Sequence, residues 1–429
     1  MMDVVSLSGG RPLNGAVRVP GDKSISHRAL IFNSLSSGTG RIRGLLQSED
    51  VEATAQCLTQ LGVMIGPEGV CGTNGVFMAP TAPLYCGNSG TSARLLMGLL
   101  AGQAFQVTFD GDASLQRRPM GRISDPLRAL GARFQGQARQ LPLVLEGGRL
   151  VNTALRSEVA SAQVKTAILL AGLQGEGRLV FTEPRLSRDH SERMLEAMDV
   201  KLERVIHEDG SHTIILEGPQ CLRAVDVDVP GDISSAAFFM VAAAITPGSD
   251  VTLEHVGINP TRDGVLRVLR DMGAHIEISR RQEVSGEPVA DIRVKHGPLR
   301  AAQIGPDLIP HLVDEIPVLA VAMAHAKGQS SVTGAAELRV KESDRIRTTM
   351  DILTRLGCMP KEADDGFALD GIELAQMRPP TIDAHLDHRV AMSAIVAGLP
   401  LRGETIVSGA SAVKSSFPNF MTLLEQLRE

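Results

Sequence analysis

Tryptophan is absent from the 429 residues, tyrosine occurs once, at Tyr85, and aromatic residues make up only 3% of the chain. A core built from this chain must be filled by Leu, Val, Ile, Ala and Met. The stacking platforms that hold single-stranded nucleic acid are missing. There is no excess of positive charge either: 43 Lys and Arg stand against 49 Asp and Glu, a formal net charge of -6. No general field therefore draws polyanions, and an anionic ligand needs a local cluster of cations. The cysteines, Cys57, Cys71, Cys86, Cys221 and Cys358, form no C-x-x-C pair, and no histidine stands beside them at zinc spacing. They read as reduced, structural thiols of a cytoplasmic protein, with no metal expected. The longest apolar run, Ala236 to Ile245, is far too short to span a bilayer. The opening MMDVVSLSGG has no basic n-region and no long apolar h-region, so it is not expected to act as a signal peptide. With 43% hydrophobic and 21% charged residues, the composition is that of a soluble globular protein of two or three domains.

What the chain does have is repetition. Apolar, helix-like runs open on polar residues at six places: Asp22 to Leu35, Ser89 to Leu100, Ser161 to Leu173, Asp232 to Ile245, Asp314 to Ala326 and Asp387 to Leu399. They are rich in Ala, Leu, Ile and Met on nearly all sides, which marks buried helices. Each is followed by a Gly-containing turn and a short strand-like stretch: GTGRIRGL, QAFQVTFDG, GEGRLVFTE, GSDVTLEHV, GQSSVTGA and GETIVSGA. A charged amphipathic segment comes next. Four such segments close on Leu61-Gly62-Val63, Leu130-Gly131-Ala132, Met272-Gly273-Ala274 and Leu356-Gly357-Cys358, where the glycine suits a helix C′ position; the third copy has Met198-Asp199-Val200 instead. The period of roughly 70–85 residues suits a small α/β subdomain rather than a solenoid. Val19-Pro20-Gly21-Asp22 and Val229-Pro230-Gly231-Asp232 both lead into a buried helix, so the simplest reading is two domains of three units with these phrases as the crossing points. Buried helices must emerge somewhere, and their N-termini favour anions.

The polar tips carry the candidate chemistry. Lys23, Ser24 and Arg28 in GDKSISHRAL offer two cations and a hydroxyl in the first turns of a helix, a phosphate or carboxylate site; a capped helix with solvated charges is the plain alternative. The phrase fails as a nucleotide P-loop because Gly15 is at the wrong spacing from Lys23. Gly87-Asn88-Ser89-Gly90-Thr91 has the makings of an anion nest, or is a simple turn and cap. Arg117-Arg118-Pro119 follows, either a solvated pair or a fixed cation. Ser161-Ala162-Gln163 suits a polyhydroxylated ligand or an N-cap. Asp314-Glu315 reads as a cap or as a base for a substrate hydroxyl. Arg339 to Arg345 reads on its own as a salt-bridged helix face, and His388 in Asp387-His388-Arg389 as structural. Taken together, Lys23, Arg28, Arg118, Lys341, Arg345, Arg389 and Lys414 place cations at similar points of the units, the description of a cleft for two anionic small molecules.

The segments PGDKSISHR, YCGNSGTSARLL, GDASLQRRPM, ASAQVKTAIL, LVDEIPVLA, RVKESDRI and DHRVAMS, in this order, resemble the 5-enolpyruvylshikimate-3-phosphate synthase family, and ASAQVK and AELRVKESDR are similar to its second bacterial class. The resemblance implies an α/β fold of two inverse barrels built from six βαβαββ units. One domain would combine 1–20 with 230–429, the other would run over 21–229, and a double hinge would close them on substrate. It implies transfer of the enolpyruvyl group of phosphoenolpyruvate (PEP) to the 5-hydroxyl of shikimate 3-phosphate by addition and elimination, with release of phosphate and no cofactor. Lys23, Ser24, Arg28, Ser161, Gln163, Asp314 and Lys341 would bind shikimate 3-phosphate. Lys23, Gly90, Arg118, Gln163, Arg345, Arg389 and Lys414 would bind PEP. Asp314 and Glu342 would move protons, with Lys23 a further candidate. Ala162 and Glu337 depart from the first-class pattern, which has serine and asparagine there. Gly90 would lie against the pocket shared by PEP and the family's inhibitor glyphosate. The resemblance implies a monomer with no nucleic-acid or membrane partner. The alternatives are a UDP-N-acetylglucosamine enolpyruvyl transferase, whose loop cysteine none of the cysteines here matches, and a non-catalytic binder of anionic metabolites.

Overall fold

The computed structural model describes residues 3–136 and 139–429, and one supersecondary pattern recurs through them. In the copy that begins at Leu84–Tyr85, that strand leads into helix Gly90–Leu100, strand Gln106–Asp110 follows, then helix Gly121–Ala129, and then strands Arg133–Phe134 and Leu143–Glu146. The first two strands pair parallel, as a helical crossover requires. The last strand pairs antiparallel between its predecessor and the second, so the sheet order is first, second, fourth, third. Strands Ala154–Arg156, Gly177–Glu183, His212–Gly218 and Leu202–Ile206 repeat this order. So do Gln303–Ile304, Gln329–Val332, Gly366–Asp370 and Lys361–Ala363, and Asn14–Val17, Asp250–Gly257, Glu287–Lys295 and His275–Val284. This last copy takes its first strand from far along the chain, and the remaining two borrow a strand in the same way. Val227–Asp228 pairs parallel with Ile42–Arg43, and Val4–Ser8 pairs antiparallel with Glu404–Ser408.

These pairings gather the chain into two compact units. One holds the chain up to Pro20 with Pro230–Glu283 and Pro288–Glu429; the other holds Gly21–Val229 and the hairpin tip Val284–Glu287. Each unit has its own hydrophobic core. Three buried helices run through each: α1 (Lys23–Leu35), α2 (Gly90–Leu100) and α3 (Ala162–Gly172) in the second, α4 (Ile233–Ile245), α5 (Ile316–Ala324) and α6 (His388–Gly398) in the first. Every residue of α4 and α5 is buried, which only a sequence apolar on all sides permits. Most of the few aromatics of that unit's core are pooled: Phe238, Phe239, Phe417 and Phe420 pack ring on ring at 5.3–6.1 Å.

Five of these helices are capped as their sequences suggest. The side chains of Asp22, Ser89, Ser161, Asp232 and Asp387 accept a hydrogen bond from a backbone N–H two or three residues on. The exception is α5. The sequence suggests a start at Asp314, but the helix begins at Ile316, after a separate turn of helix at Ile309–Leu312; Glu315 in the cap position makes no capping bond, and Pro317 occupies the first turn, where its missing N–H is harmless. Its far end is shorter too, because Ala326 pairs in a strand with Leu299. The turns after the amphipathic helices repeat as well. Gly62, Gly131, Gly273 and Gly357 have φ of 88°, 114°, 84° and 104°, and Asp199, in the copy without glycine, has φ 66°. The left-handed turn is thus kept by an aspartate, one of the few L-residues that visits this region without a large penalty. Among the described residues no helix is long and apolar enough to cross a membrane.

Candidate functional site

In the unit Gly21–Val229, Lys23 is the first residue of α1 and forms an ion pair with Asp50 of helix Glu49–Gln60. One turn behind it lies His27, fully buried, with Nδ1 2.7 Å from Thr54 Oγ1. Thr54 continues to Ser92 Oγ at 2.6 Å, and Ser92 donates to Ser89 Oγ at 2.6 Å. Burial, and secondarily the Lys23 charge, pushes the His27 pKa down to about 3, so the imidazole is neutral and adds no charge beside Lys23. Arg28 is buried under the same turn. Its Nη1 donates to Ser24 O at 3.0 Å, its Nε to Ser191 Oγ at 2.8 Å, and its Nη2 to Thr166 Oγ1 at 2.8 Å and Ala162 O at 3.4 Å. A buried cation must find partners, and these bonds fix the start of α1 against the start of α3, where Ser161 is the N-cap.

The second cluster of this unit surrounds Gly90, the first residue of α2. Arg94 Nη1 donates to Gln163 Oε1 at 2.7 Å and its Nη2 to Pro119 O at 3.3 Å, while Gln163 Nε2 donates to Thr91 Oγ1 at 3.0 Å. Arg118 is hydrogen-bonded to Asn88. A Cβ placed on Gly90 would come within 2.8 Å of Arg94 Nη1 and 3.5 Å of Arg118 Nη1. Two guanidinium groups therefore converge over a backbone that carries no side chain, a geometry suited to an anion brought close to the helix N-terminus. Arg94 escaped the sequence reading. Its signal was available: it is the one charge in the otherwise uncharged helix Gly90–Leu100, one turn beyond Gly90.

In the other unit, Asp314 is a hub of cations. Its Oδ1 lies 3.4 Å from Arg345 Nη1, 3.9 Å from Arg389 Nε and 4.0 Å from Lys341 Nζ, and its backbone carbonyl accepts from Arg389 Nη1 at 3.1 Å. The carboxylate is thus committed to cations rather than to capping α5. Arg345 is 1% exposed, with Nε 2.8 Å from Asp387 Oδ2, Nη2 3.2 Å from Asp387 Oδ1 and Nη2 2.7 Å from Glu342 Oε2. Burial works against its charge, but Asp387 and Glu342 outweigh it and hold the guanidinium above its ordinary pKa. Burial likewise opposes ionisation of Asp387, and Arg345 with His388 reverses this and keeps its pKa below the usual carboxylate value. Lys341 also meets Glu337 Oε1 at 3.3 Å. The expected salt-bridged helix face over Arg339–Arg345 is not formed. A 3₁₀ turn ends at Val340, Lys341–Ser343 are loop, and Asp344 caps the helix Arg345–Leu356, accepting from Arg347 N. Arg339 instead pairs with Asp344 at 2.8 Å and Glu362 at 2.7 Å, pinning the base of that loop. Lys414 is exposed on the short 3₁₀ helix Ala410–Ser415, which packs against α6. Among the described residues no group of His, Cys, Asp and Glu is arranged to hold a metal ion.

The fold has counterparts among solved structures. The enolpyruvyl transferase NikO from Streptomyces tendae superposes with a TM-score of 0.73 at 18% identity, covering 99% of this chain and 97% of that one. Such a likeness defines the class, a two-domain inverse α/β barrel of six βαβαββ units. An EPSP synthase from Acinetobacter baumannii superposes with a TM-score of 0.87 at 43% identity, covering 99% and 98%. The 3-phosphoshikimate 1-carboxyvinyltransferase of Methylococcus capsulatus is 49% identical over 99% of this chain and 98% of its own, and that of a Synechococcus species 47% over the whole of both. The family model for EPSP synthase (3-phosphoshikimate 1-carboxyvinyltransferase) matches residues 7–424. The chain belongs to the EPSP synthase family and is an enzyme of enolpyruvyl transfer in the shikimate pathway.

Proposed function

We propose that the two units serve one reaction, the transfer of the enolpyruvyl group of PEP to the 5-hydroxyl of shikimate 3-phosphate. Lys23, Ser24, Arg28, Ser161, Gln163, Asp314 and Lys341 bind shikimate 3-phosphate; Lys23, Gly90, Arg118, Gln163, Arg345, Arg389 and Lys414 bind PEP, and Arg94 joins the latter set. The observation that carries the reading is the Asp314 hub, a carboxylate with Lys341, Arg345 and Arg389 within 4.0 Å. A site that only binds anions gains nothing from a carboxylate among its cations. A site that must take a proton from a sugar hydroxyl uses one.

The chemistry is addition followed by elimination. A proton goes to the methylene carbon of PEP while the 5-hydroxyl oxygen bonds to the adjacent carbon and loses its own proton to Asp314. The resulting tetrahedral ketal then expels phosphate and gives back a proton from the methyl group, so the enol double bond is restored in the product. Glu342, hydrogen-bonded to Arg345, handles the proton at carbon, with Lys23 as the further candidate. The charge that shifts among carboxylate, phosphate and the transient cationic carbon is stabilised by the preorganised Lys and Arg groups. The enzyme works in the cytoplasm as a monomer, without nucleic-acid or membrane partners and without a cofactor. Asp314→Asn tests the assignment. It should lower kcat at least a hundredfold, within the range of general-base catalysis, and change the KM for PEP much less. A raised KM at wild-type kcat would make Asp314 a binding residue only.

A further inference from the structure

Beneath α3 lies a set of charges that the reaction does not use. Lys165, Glu183 and Glu192 are each 0% exposed. Lys165 Nζ is 2.9 Å from Glu183 Oε1, 2.7 Å from Glu192 Oε1 and 3.2 Å from the carbonyl of Ser187, and Glu183 Oε1 also accepts from Ser187 N at 3.0 Å. The three charged residues come from three elements: α3, the end of strand Gly177–Glu183, and the helix His190–Ala197. His212 Nδ1 is 3.9 Å from Glu183 Oε1.

Stability alone does not account for this set. Ions buried together are often no better than apolar residues of the same volume, because desolvation offsets their attraction. The strain of burial is visible: it raises the Glu192 pKa despite Lys165 alongside. What the set supplies is direction. Apolar packing lets a helix slide or turn by a fraction of an ångström, whereas an ammonium held by two carboxylates and a carbonyl fixes one register. The turn it fixes is the first of α3. Lys165 N donates to Ser161 O at 3.0 Å, and the same turn carries Ser161 and Gln163. The next residue, Thr166, bonds Ser191 Oγ at 2.6 Å and receives Arg28 at 2.8 Å.

We infer that Lys165, clamped by Glu183, Glu192 and the Ser187 carbonyl, is a positioning residue that holds Ser161 and Gln163 in the geometry that binds shikimate 3-phosphate. This rests on the reading of Ser161 and Gln163 as ligands of that substrate. The test is the triple variant Lys165→Met/Glu183→Gln/Glu192→Met, which keeps the volumes and the acceptor for Ser187 N, beside Glu192→Gln and Ser161→Ala. Steady-state kinetics and thermal unfolding are measured on all of them in the full chain. The triple variant should unfold at or above the wild-type temperature while its KM for shikimate 3-phosphate rises about tenfold or more, the scale of a small misplacement, with less change in the KM for PEP. Glu192→Gln, which leaves one ion pair intact, should move the same KM in the same direction by less. A triple variant with wild-type kinetics overturns the inference, as does one whose KM for both substrates rises only in step with lost stability. Should the triple variant not fold, wild-type KM in Glu192→Gln overturns it. Ser161→Ala separates the two claims: if it leaves the KM for shikimate 3-phosphate unchanged, the assignment of Ser161 fails, and if it raises that KM while the other variants do not, only the positioning role fails.

Discussion

Replacing Gly90 with alanine adds one methyl group at the point where Arg94 and Arg118 converge. Gly90 is the first residue of α2 and is not among the glycines held at positive φ, so alanine meets no backbone penalty and is the better helix former. The new carbon would lie 2.8 Å from Arg94 Nη1, inside any real contact distance, but at an ordinary 3.5 Å from Arg118 Nη1. Arg94 must therefore give way while Arg118 stays. Its guanidinium is the end of a flexible side chain, so the fold should tolerate the shift, but the 2.7 Å bond to Gln163 Oε1 will stretch or break. A hydrogen bond to a charged group contributes about 1.5–3 kcal/mol, and overpacking by a methyl costs about 1–3 kcal/mol. A ligand that fills the space over Gly90 should lose roughly ten- to a hundredfold in affinity. Glyphosate is longer than PEP and should suffer more. We expect the inhibition constant for glyphosate to rise by that factor in Gly90→Ala and the KM for PEP to rise less than about tenfold, while the stability lost with the Arg94–Gln163 bond stays within about 3 kcal/mol. Equal fold-changes in the two constants would refute the steric reasoning, and a variant that does not fold would show that the start of this helix cannot take a side chain.

Three further outcomes follow from the same contacts. Lys23→Met removes an ammonium assigned to both substrates and should raise both KM values and lower kcat, with a loss of about 2–5 kcal/mol in kcat/KM; near-wild-type kinetics would remove Lys23 from the site. Asp387→Ala leaves the buried Arg345 guanidinium without the carboxylate that meets it at 2.8 and 3.2 Å and should destabilise the protein by about 3–5 kcal/mol, read from thermal unfolding; an unchanged midpoint would contradict it. His27, with a pKa lowered from 6.5 to about 3, takes up its proton in the unfolded chain but not in the folded one between those values, so it should subtract stability as pH falls from about 6.5 towards 3 and add no further slope below. His27→Asn, which keeps a hydrogen-bond partner for Thr54, should flatten that part of the stability profile by up to about 5 kcal/mol; an unaltered acid limb would show that His27 is not the group responsible.

The repeats were legible because burial on all sides leaves a plain mark: Asp232–Ile245 reads as an internal helix, and its polar first residue reads as the cap it proves to be. The sequence also indicated the glycine turns, but not that Asp199 would take the same left-handed conformation, since an aspartate in a loop has many other uses. The start of α5 was misread because Asp314-Glu315 resembles a capping pair, whereas the cations of Arg345, Arg389 and Lys341 claim Asp314 from other parts of the chain. The Arg339–Arg345 phrase fits helical ion pairing at i, i+4 spacing, yet Asp344 caps the following helix and forces the preceding residues into a loop. Arg94 was overlooked amid an apolar run although its solitude was the clue. Lys165, like Arg94, is the one charge of a buried helix, but its partners could not have been named from sequence, because Glu183 and Glu192 look like ordinary surface charges until the elements that carry them are packed together.

The central claim is that this chain couples shikimate 3-phosphate to PEP by enolpyruvyl transfer. It is tested most directly by mixing the purified protein with both substrates and following inorganic phosphate and the enolpyruvyl product together. Stoichiometric release of phosphate is expected, with formation of the product carrying the enolpyruvyl group at the 5-oxygen, dependent on both substrates, without added metal, and sharply reduced in Lys23→Met. Phosphate release from PEP that does not depend on shikimate 3-phosphate, or no turnover with both present, would contradict it.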